Sequence, residues 1–324
     1  MSRRRRDDWS PYAIPYLRDA TRAALERSAQ HNDALVPRSL DDAMRRDFEE
    51  GASDSRRAAW ALHTAELFWI TAPMAEVALD ASHDMPGFTG EDLPSQSGLI
   101  LVEKPLPDKD TALIGGLRLR DRSLNTPLDG DWTEPVPIDG LLWHRAGATI
   151  RVWMLVRTKR LPDPLLTHPT PLTPFLSAEL PLPADFTKTK AFLGTEGTAP
   201  TSDALGVLSW LAAAWHLMSI PTVAETRDLD ASTGASAPAA PRGEREPGAV
   251  RLVDLRPMRH VRFEGESTET ARTYRHRWVV RGHWRQQAVG PKRGQRRLTW
   301  VPSYIKGPEG APLLTTDTVK VWRR

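Results

Sequence analysis

Apolar and polar positions are not patterned alike along this chain. From Tyr16 to Ser28 and from Ser39 to Glu50 sparse apolar residues recur at helical spacing among many charges, which predicts two short peripheral helices. Ser39 and Asp42 form a capping-box-like start for the second and Gly51 a stop. A longer helix is expected from Ser55 to Ile70, where Ala58, Leu62, Ala65 and Ile70 are interleaved with Trp60, Leu67, Phe68 and Trp69 to give a wide apolar arc, with Pro73 breaking it.

Between Leu93 and Thr158 the period shortens. Gly98 to Glu103, Ala112 to Leu119, Ile138 to His144 and Thr149 to Arg157 are short apolar or alternating runs separated by turns such as Asp129-Gly130-Asp131 and Arg145-Ala146-Gly147. That pattern predicts an antiparallel meander. The proline-dense stretch from Leu161 to Pro183 is expected to be an extended surface connection. Ala204 to Ile220 contains no formal charge, but Ser209, His216 and Ser219 interrupt it, so it reads as a buried helix capped by Ser202 or Asp203 and stopped by Pro221. Residues 231–248 are small, charged or proline and read as a flexible linker. A strand from Ala249 to Leu255 follows.

These elements define an α+β chain with four regions: a peripheral helical part over 1–54, an α+β core over 55–226, the linker over 227–248, and a basic hairpin segment over 249–324 that packs on the core.

The last region stands apart once charge is considered. The net charge of +3 conceals a division: residues 251–324 hold 17 Lys and Arg against 6 Asp and Glu, a net of +11, which leaves −8 for residues 1–250. Cations gathered at one end attract a polyanion better than the same number dispersed. Arg outnumbers Lys 36 to 8, which codon bias explains in part, but codon bias does not explain the segregation.

Sorting this segment by parity gives a β-hairpin from Tyr274 to Lys306. Tyr274, His276, Trp278, Val280, Gly282 and Trp284 fall on one face; Arg275, Arg277, Val279, Arg281, His283 and Arg285 fall on the other. Gln286 to Arg297 reads as an exposed loop carrying Lys292, Arg293, Arg296 and Arg297, and Leu298 to Lys306 as the returning strand with Trp300 and Tyr304. Guanidinium groups match phosphate oxygens, and Trp284 and Tyr304 could stack on unpaired bases. Cross-strand packing is the competing role for the tryptophans.

Candidate chemistry is thin. With no cysteine there is no disulfide or thiolate metal site, a composition that fits a reducing cytoplasm; Asp7, Asp8 and Trp9 stand where a signal peptide would be apolar. The Arg3 to Arg6 run reads as a solvated tail. No phosphate loop, dinucleotide fingerprint, serine elbow or zinc helix is present, so no cofactor and no metal are expected. Asp108, Asp110, Asp129, Asp131, Asp228 and Asp230 are all read as turn residues. His283, between Arg281 and Arg285, is the one histidine placed as a ribonuclease acid or base, whereas His276 points the other way.

Val280-Arg281-Gly282-His283-Trp284-Arg285, followed by Trp300-Val301-Pro302-Ser303-Tyr304-Ile305-Lys306-Gly307-Pro308, resembles the C-terminal signature of an uncharacterised family common in actinobacteria and their mobile elements. Leu93-Pro94-Ser95-Gln96-Ser97-Gly98-Leu99 is similar to that family's first-strand entry. More distant phage and plasmid proteins share an Arg-Gly-His-aromatic-basic core, and that wider group is similar to a type V anti-CRISPR family associated with lowering expression of the effector through its message. The resemblance implies a phage or plasmid accessory protein that engages RNA, a ribosome or a nascent chain. The expectation is therefore a cytoplasmic nucleic-acid-binding protein, favouring RNA or another single strand over duplex DNA, with no membrane partner. The alternatives are a ribonuclease using His283 and an adaptor that docks an acidic protein.

Overall fold

The computed structural model describes residues 9–39, 41–106, 137–160, 170–186, 202–230, 232–234, 236–238, 248–256, 276–308 and 312–314. The protein is α+β. Its centre is an eight-stranded mixed sheet of β1 (Glu66–Ile70), β3 (Ser97–Leu106), β4 (Ile138–Ala146), β5 (Thr149–Arg157), β6 (Leu172–Pro181), β8 (Ala224–Leu229), β9 (Ser236–Pro238) and β10 (Val250–Leu255), in the order β6-β5-β4-β3-β1-β10-β8-β9. Strands β3 to β5 form the expected antiparallel meander, and β6 extends it by one strand. Strand β1 lies parallel to both β3 and β10. The short strands β2 (Gly87–Phe88) and β7 (Ala184–Asp185) pair separately.

Helices cover both faces of the sheet. On one face α1 (Ile14–Leu35) and α2 (Asp42–Thr64) bring Ile14, Leu25, Ala58 and Leu62 against Leu67, Trp69, Leu99, Leu101, Leu142 and Trp153. On the other, α3 (Ala72–Ser82) and α4 (Ser202–Met218) pack over Phe68, Ile70, Ile100, Val102, Leu141 and Trp143. Adjacent strand residues therefore enter opposite cores, as a period of two requires. The Trp210 indole N–H donates to the Ala75 carbonyl at 3.0 Å and ties α4 to α3. Among the described residues no helix is long and apolar enough to cross a membrane.

Several expectations change. The run Leu67-Phe68-Trp69-Ile70 is not the end of a helix but the strand β1, apolar at every position because both its faces are covered. Pro73 does not break a helix; it sits in the first turn of α3, where a missing N–H costs nothing. Helix α2 is capped by Asp41, whose carboxylate accepts from the Met44 N–H at 2.7 Å, and it continues through Gly51. A Cβ at Gly51 would lie 2.8 Å from the Asn32 side-chain amide of α1, so this glycine faces α1 from inside α2 rather than ending it. The expected boundary at residue 54 thus falls inside a helix that contributes to the core.

The proline-dense segment is not wholly irregular. Leu172–Pro181 is the strand β6, which tolerates Pro174 and Pro181 at the edge of the sheet, where one side of the ladder needs no N–H donor. Within the expected linker, Ser236–Pro238 pairs with β8 as β9. Strand β10 is interior to the sheet, so the segment from residue 249 begins as part of the core. The strand expected at 112–119 lies outside the described residues.

Candidate nucleic-acid interface

The C-terminal hairpin is built from β11 (Arg277–Val280), β12 (His283–Val289), β13 (Gln295–Val301) and β14 (Tyr304–Lys306). It is broken in the middle. Strands β12 and β13 pair with each other, while β11 pairs with β14 and with β15 (Leu313–Leu314) in a separate sheet. The breaks fall at Arg281-Gly282 and Pro302-Ser303, where Pro302 has no N–H for a ladder. The connection at the tip is shorter than expected: Gln286 to Val289 and Gln295 to Arg297 are paired strand residues, and only residues 290–294 turn.

The motif residues anchor this ribbon. Trp284 lies directly opposite Trp300 with ring centroids 5.1 Å apart, and its other flank meets His216 of α4 at 5.6 Å, edge to face. The Trp284 N–H donates to the Ala81 carbonyl at the end of α3 at 2.8 Å. Trp300 is buried and Leu298 packs beside it on the same core. Gly282 is buried where any side chain would meet Trp300, and Arg281 places its Nε 3.8 Å from the Asp80 carboxylate of α3. Burial pushes the Asp80 carboxyl above its ordinary value, an effect partly offset by Arg281 and His83. Trp300, Pro302, Ser303, Val77, Asp80 and Arg256 line a small cavity at this junction.

This placement divides the predicted residues. Arg281, His283, Arg285, Lys292, Arg293, Arg296 and Arg297 are exposed, and the Tyr304 ring is 44% exposed on β14. Arg277 is half-buried in β11, its backbone N–H donating to the Pro312 carbonyl at 2.8 Å. Trp284 is turned toward α3 and α4 as a packing residue, not toward solvent as a stacking platform. Arg275 lies outside the described residues. The register assigns His283, Arg285, Gln287, Val289, Gln295, Arg297, Thr299 and Val301 to the outward face. Arg296 belongs to the inner face by parity, but it is exposed because the ribbon there has passed beyond the core.

At the tip, Gly290, Lys292 and Arg293 have φ of 78°, 53° and 58°. Two consecutive cationic residues thus occupy the left-handed region that glycine or asparagine enters more readily. Arg297 reaches back to the Ser219 carbonyl at the end of α4 at 3.4 Å. The other cations of the turn project into solvent.

His283 is exposed, its Nδ1 3.2 Å from the Arg281 carbonyl, and among the described residues no second acid–base side chain hydrogen-bonds to it. No group of three or more His, Asp and Glu side chains among the described residues is arranged to hold a metal ion. Asp228 is not a turn residue: it lies in β8 and receives both Nε and Nη2 of Arg251 at 2.8 and 2.9 Å. Asp230 does sit in a turn, where hydrogen bonds from Ser232 and Thr233 hold its carboxyl down to about 2.

One histidine contact was not predicted. Ser97 Oγ lies 2.6 Å from His144 Nδ1 and accepts from the Thr64 hydroxyl at 3.0 Å. The seryl group is buried under the end of α2, so this chain ties α2 to the sheet rather than offering a nucleophile to substrate. Its only sequence signal is the pairing of β3 with β4, which single-strand periodicity does not reveal. No family model matches the chain, and no curated protein matches it.

Proposed function

We propose that this chain is a nucleic-acid-binding accessory protein that engages its target through the outward face and the tip of the β12–β13 ribbon. The observation that carries the reading is the division of the ribbon: Trp284, Leu298 and Trp300 hold it on the core, while Arg281, Arg285, Lys292, Arg293, Arg296 and Arg297 are left exposed. A surface of this kind binds phosphates through charge-assisted hydrogen bonds and counterion release. The resemblance of the Arg281 to Arg285 motif to phage and plasmid proteins adds the biological setting, an anti-defence regulator acting on expression. Both RNA and DNA fall within the reading.

The test is fluorescence anisotropy of labelled nucleic acids over a salt series. The native chain should bind with an affinity that falls steeply as salt rises. Replacing Arg281, Arg285, Arg293 and Arg297 together by Ala should abolish binding with circular dichroism unchanged. Undiminished binding by that variant at moderate salt overturns the proposal. Ribonuclease chemistry would need a partner for His283 and is tested by incubation with labelled RNA, with and without chelator.

A further inference from the structure

Resting on the reading that this ribbon binds nucleic acid, we infer that its ligand is duplex DNA, entered through the major groove, rather than an unpaired strand. Three observations lead there.

The first concerns stacking. Recognition of single strands relies on aromatic rings presented beside cations, on which bases can stack. Here the two tryptophans of the ribbon face each other at 5.1 Å against the core, and Trp284 is further fixed by its hydrogen bond to Ala81. On β12 and β13 the outward face carries no Trp, Tyr or Phe; its one aromatic ring is the His283 imidazole at the base of the ribbon. Tyr304 is exposed, but it lies beyond the break, on β14.

The second concerns shape. Among the described residues, strands β12 and β13 form their own two-stranded sheet, with no third strand along either edge. Leu298, opposite Gln286, is the last ribbon residue packed in the apolar core, and Arg297 beyond it still reaches the Ser219 carbonyl at the end of α4. Beyond it the ribbon continues through the pairs Gln287–Arg297, Ala288–Arg296 and Val289–Gln295 to the turn. At about 3.4 Å per residue that is a projection of about 10 Å, two strands wide. The major groove of B-form DNA is about 12 Å wide and about 8.5 Å deep and admits a two-stranded ribbon, whereas the A-form groove of RNA is too narrow for side chains to read.

The third concerns chemistry. The outward face carries Arg285, Gln287, Gln295, Arg297 and Thr299. Arginine pairs with the guanine O6 and N7 edge, glutamine with the adenine N6 and N7 edge, and threonine with either. Lys292 and Arg293 at the turn and Arg296 beside it supply cations for the phosphates, while Arg281 lies at the base of the ribbon next to Asp80. Against an unpaired strand the glutamines would add no matching edge fixed in space.

Anisotropy titrations of the full chain against four labelled ligands of one length and composition, single- and double-stranded RNA and DNA, decide the matter. At equal salt, duplex DNA should bind at least tenfold more tightly than any of the other three. Methylation of guanine N7, which projects into the major groove, should interfere with binding; a minor-groove ligand such as netropsin should not compete. Equal or tighter binding of a single strand or of duplex RNA overturns the groove assignment and leaves the nucleic-acid reading standing. So does binding indifferent to N7 methylation but displaced by netropsin. Failure to bind all four overturns both.

Discussion

Gly282 stands against Trp300: a Cβ built on the glycine would lie 2.4 Å from the buried indole ring and 2.9 Å from the Asp80 carboxylate. The glycine of the Arg-Gly-His motif is therefore needed for space. It is the point at which the hairpin backbone closes onto α3. Relief would require moving a large ring seated in the core, and such overpacking costs about 1–3 kcal/mol. Gly282→Ala should lower the melting temperature by several degrees and open the segment around residues 276–308 to limited proteolysis, without altering the helical signal. A melting temperature equal to that of the native chain would show that the junction is looser than these distances.

Trp284 is the second anchor, and its polar contribution can be separated from its bulk. Trp284→Phe keeps an aromatic ring against Trp300 and His216 but leaves the Ala81 carbonyl without its 2.8 Å donor. The expected loss is about 1–2 kcal/mol in urea denaturation, with weaker nucleic-acid binding that follows from a less rigid ribbon. Trp284→Ala should be more costly still, since it also removes the packed surface.

How far the chain could be read without its structure depended on whether turn residues bounded an element. The meander strands enter both cores, Leu99 and Leu101 in one and Ile100 and Val102 in the other, but turns such as Arg145-Ala146-Gly147 bound them, and Pro221 closes the apolar run of α4. Strand β1 has no such boundary: Leu67 and Trp69 enter one core while Phe68 and Ile70 enter the other, so four consecutive apolar residues carry no period and run on from the preceding helix. The hairpin was legible because one of its faces is solvated, which sorts Trp284 from Arg285. The fate of Trp284 was decided by the surface of α3 and α4, which parity within β12 cannot show. Gly51 and Gly282 failed as local signals for the same reason, since each answers to a neighbour distant in sequence.

The sheet has an ionic anchor far from the hairpin. Asp139, fully buried in β4, accepts from the Arg157 N–H at 2.8 Å and its Nε at 3.0 Å, and lies 3.1 Å from Arg160 Nε. The Arg157 guanidinium also covers the Trp9 ring at 4.3 Å, and Trp9 donates to the Val102 carbonyl at 2.8 Å. Asp139→Ala leaves two guanidinium groups without their buried partner and should cost about 3–5 kcal/mol in urea denaturation. Asp139→Asn should recover part of that, because an amide oxygen can still accept. Equal losses for the two variants would locate the effect in packing instead.

The dependence of stability on pH should carry the mark of His216. Burial lowers its pKa from the ordinary 6.5, Asp92 at 3.8 Å only partly offsets this, and Trp284 covers the ring from the hairpin side. The unfolded chain therefore binds a proton more readily than the folded one, and stability falls as pH drops below about 6.5. His144, lowered by burial as well, acts in the same direction, while Asp80, raised chiefly by burial, acts in the opposite direction at more acidic pH. Urea melts from pH 7.5 to 5 should show declining stability, and His216→Phe should flatten but not remove the slope. An unchanged slope in that variant would place the coupling elsewhere.

Lys292 and Arg293 hold a costly backbone conformation in an exposed turn. Both hold positive φ, at 53° and 58°, in a turn where their side chains are exposed and stabilise nothing in the core. Left-handed backbone disfavours a Cβ by about 1 kcal/mol per residue, a cost that glycine avoids even after its greater entropy in the unfolded chain is counted. The double variant Lys292→Gly with Arg293→Gly should therefore fold with equal or slightly greater stability. If the tip contacts phosphates, the same variant should bind nucleic acid less tightly and lose about two units of slope in the logarithm of affinity against the logarithm of salt, one for each phosphate released. Unchanged affinity and slope would confine the interface to Arg281, Arg285, Arg296 and Arg297 and leave the strained turn without a part in it.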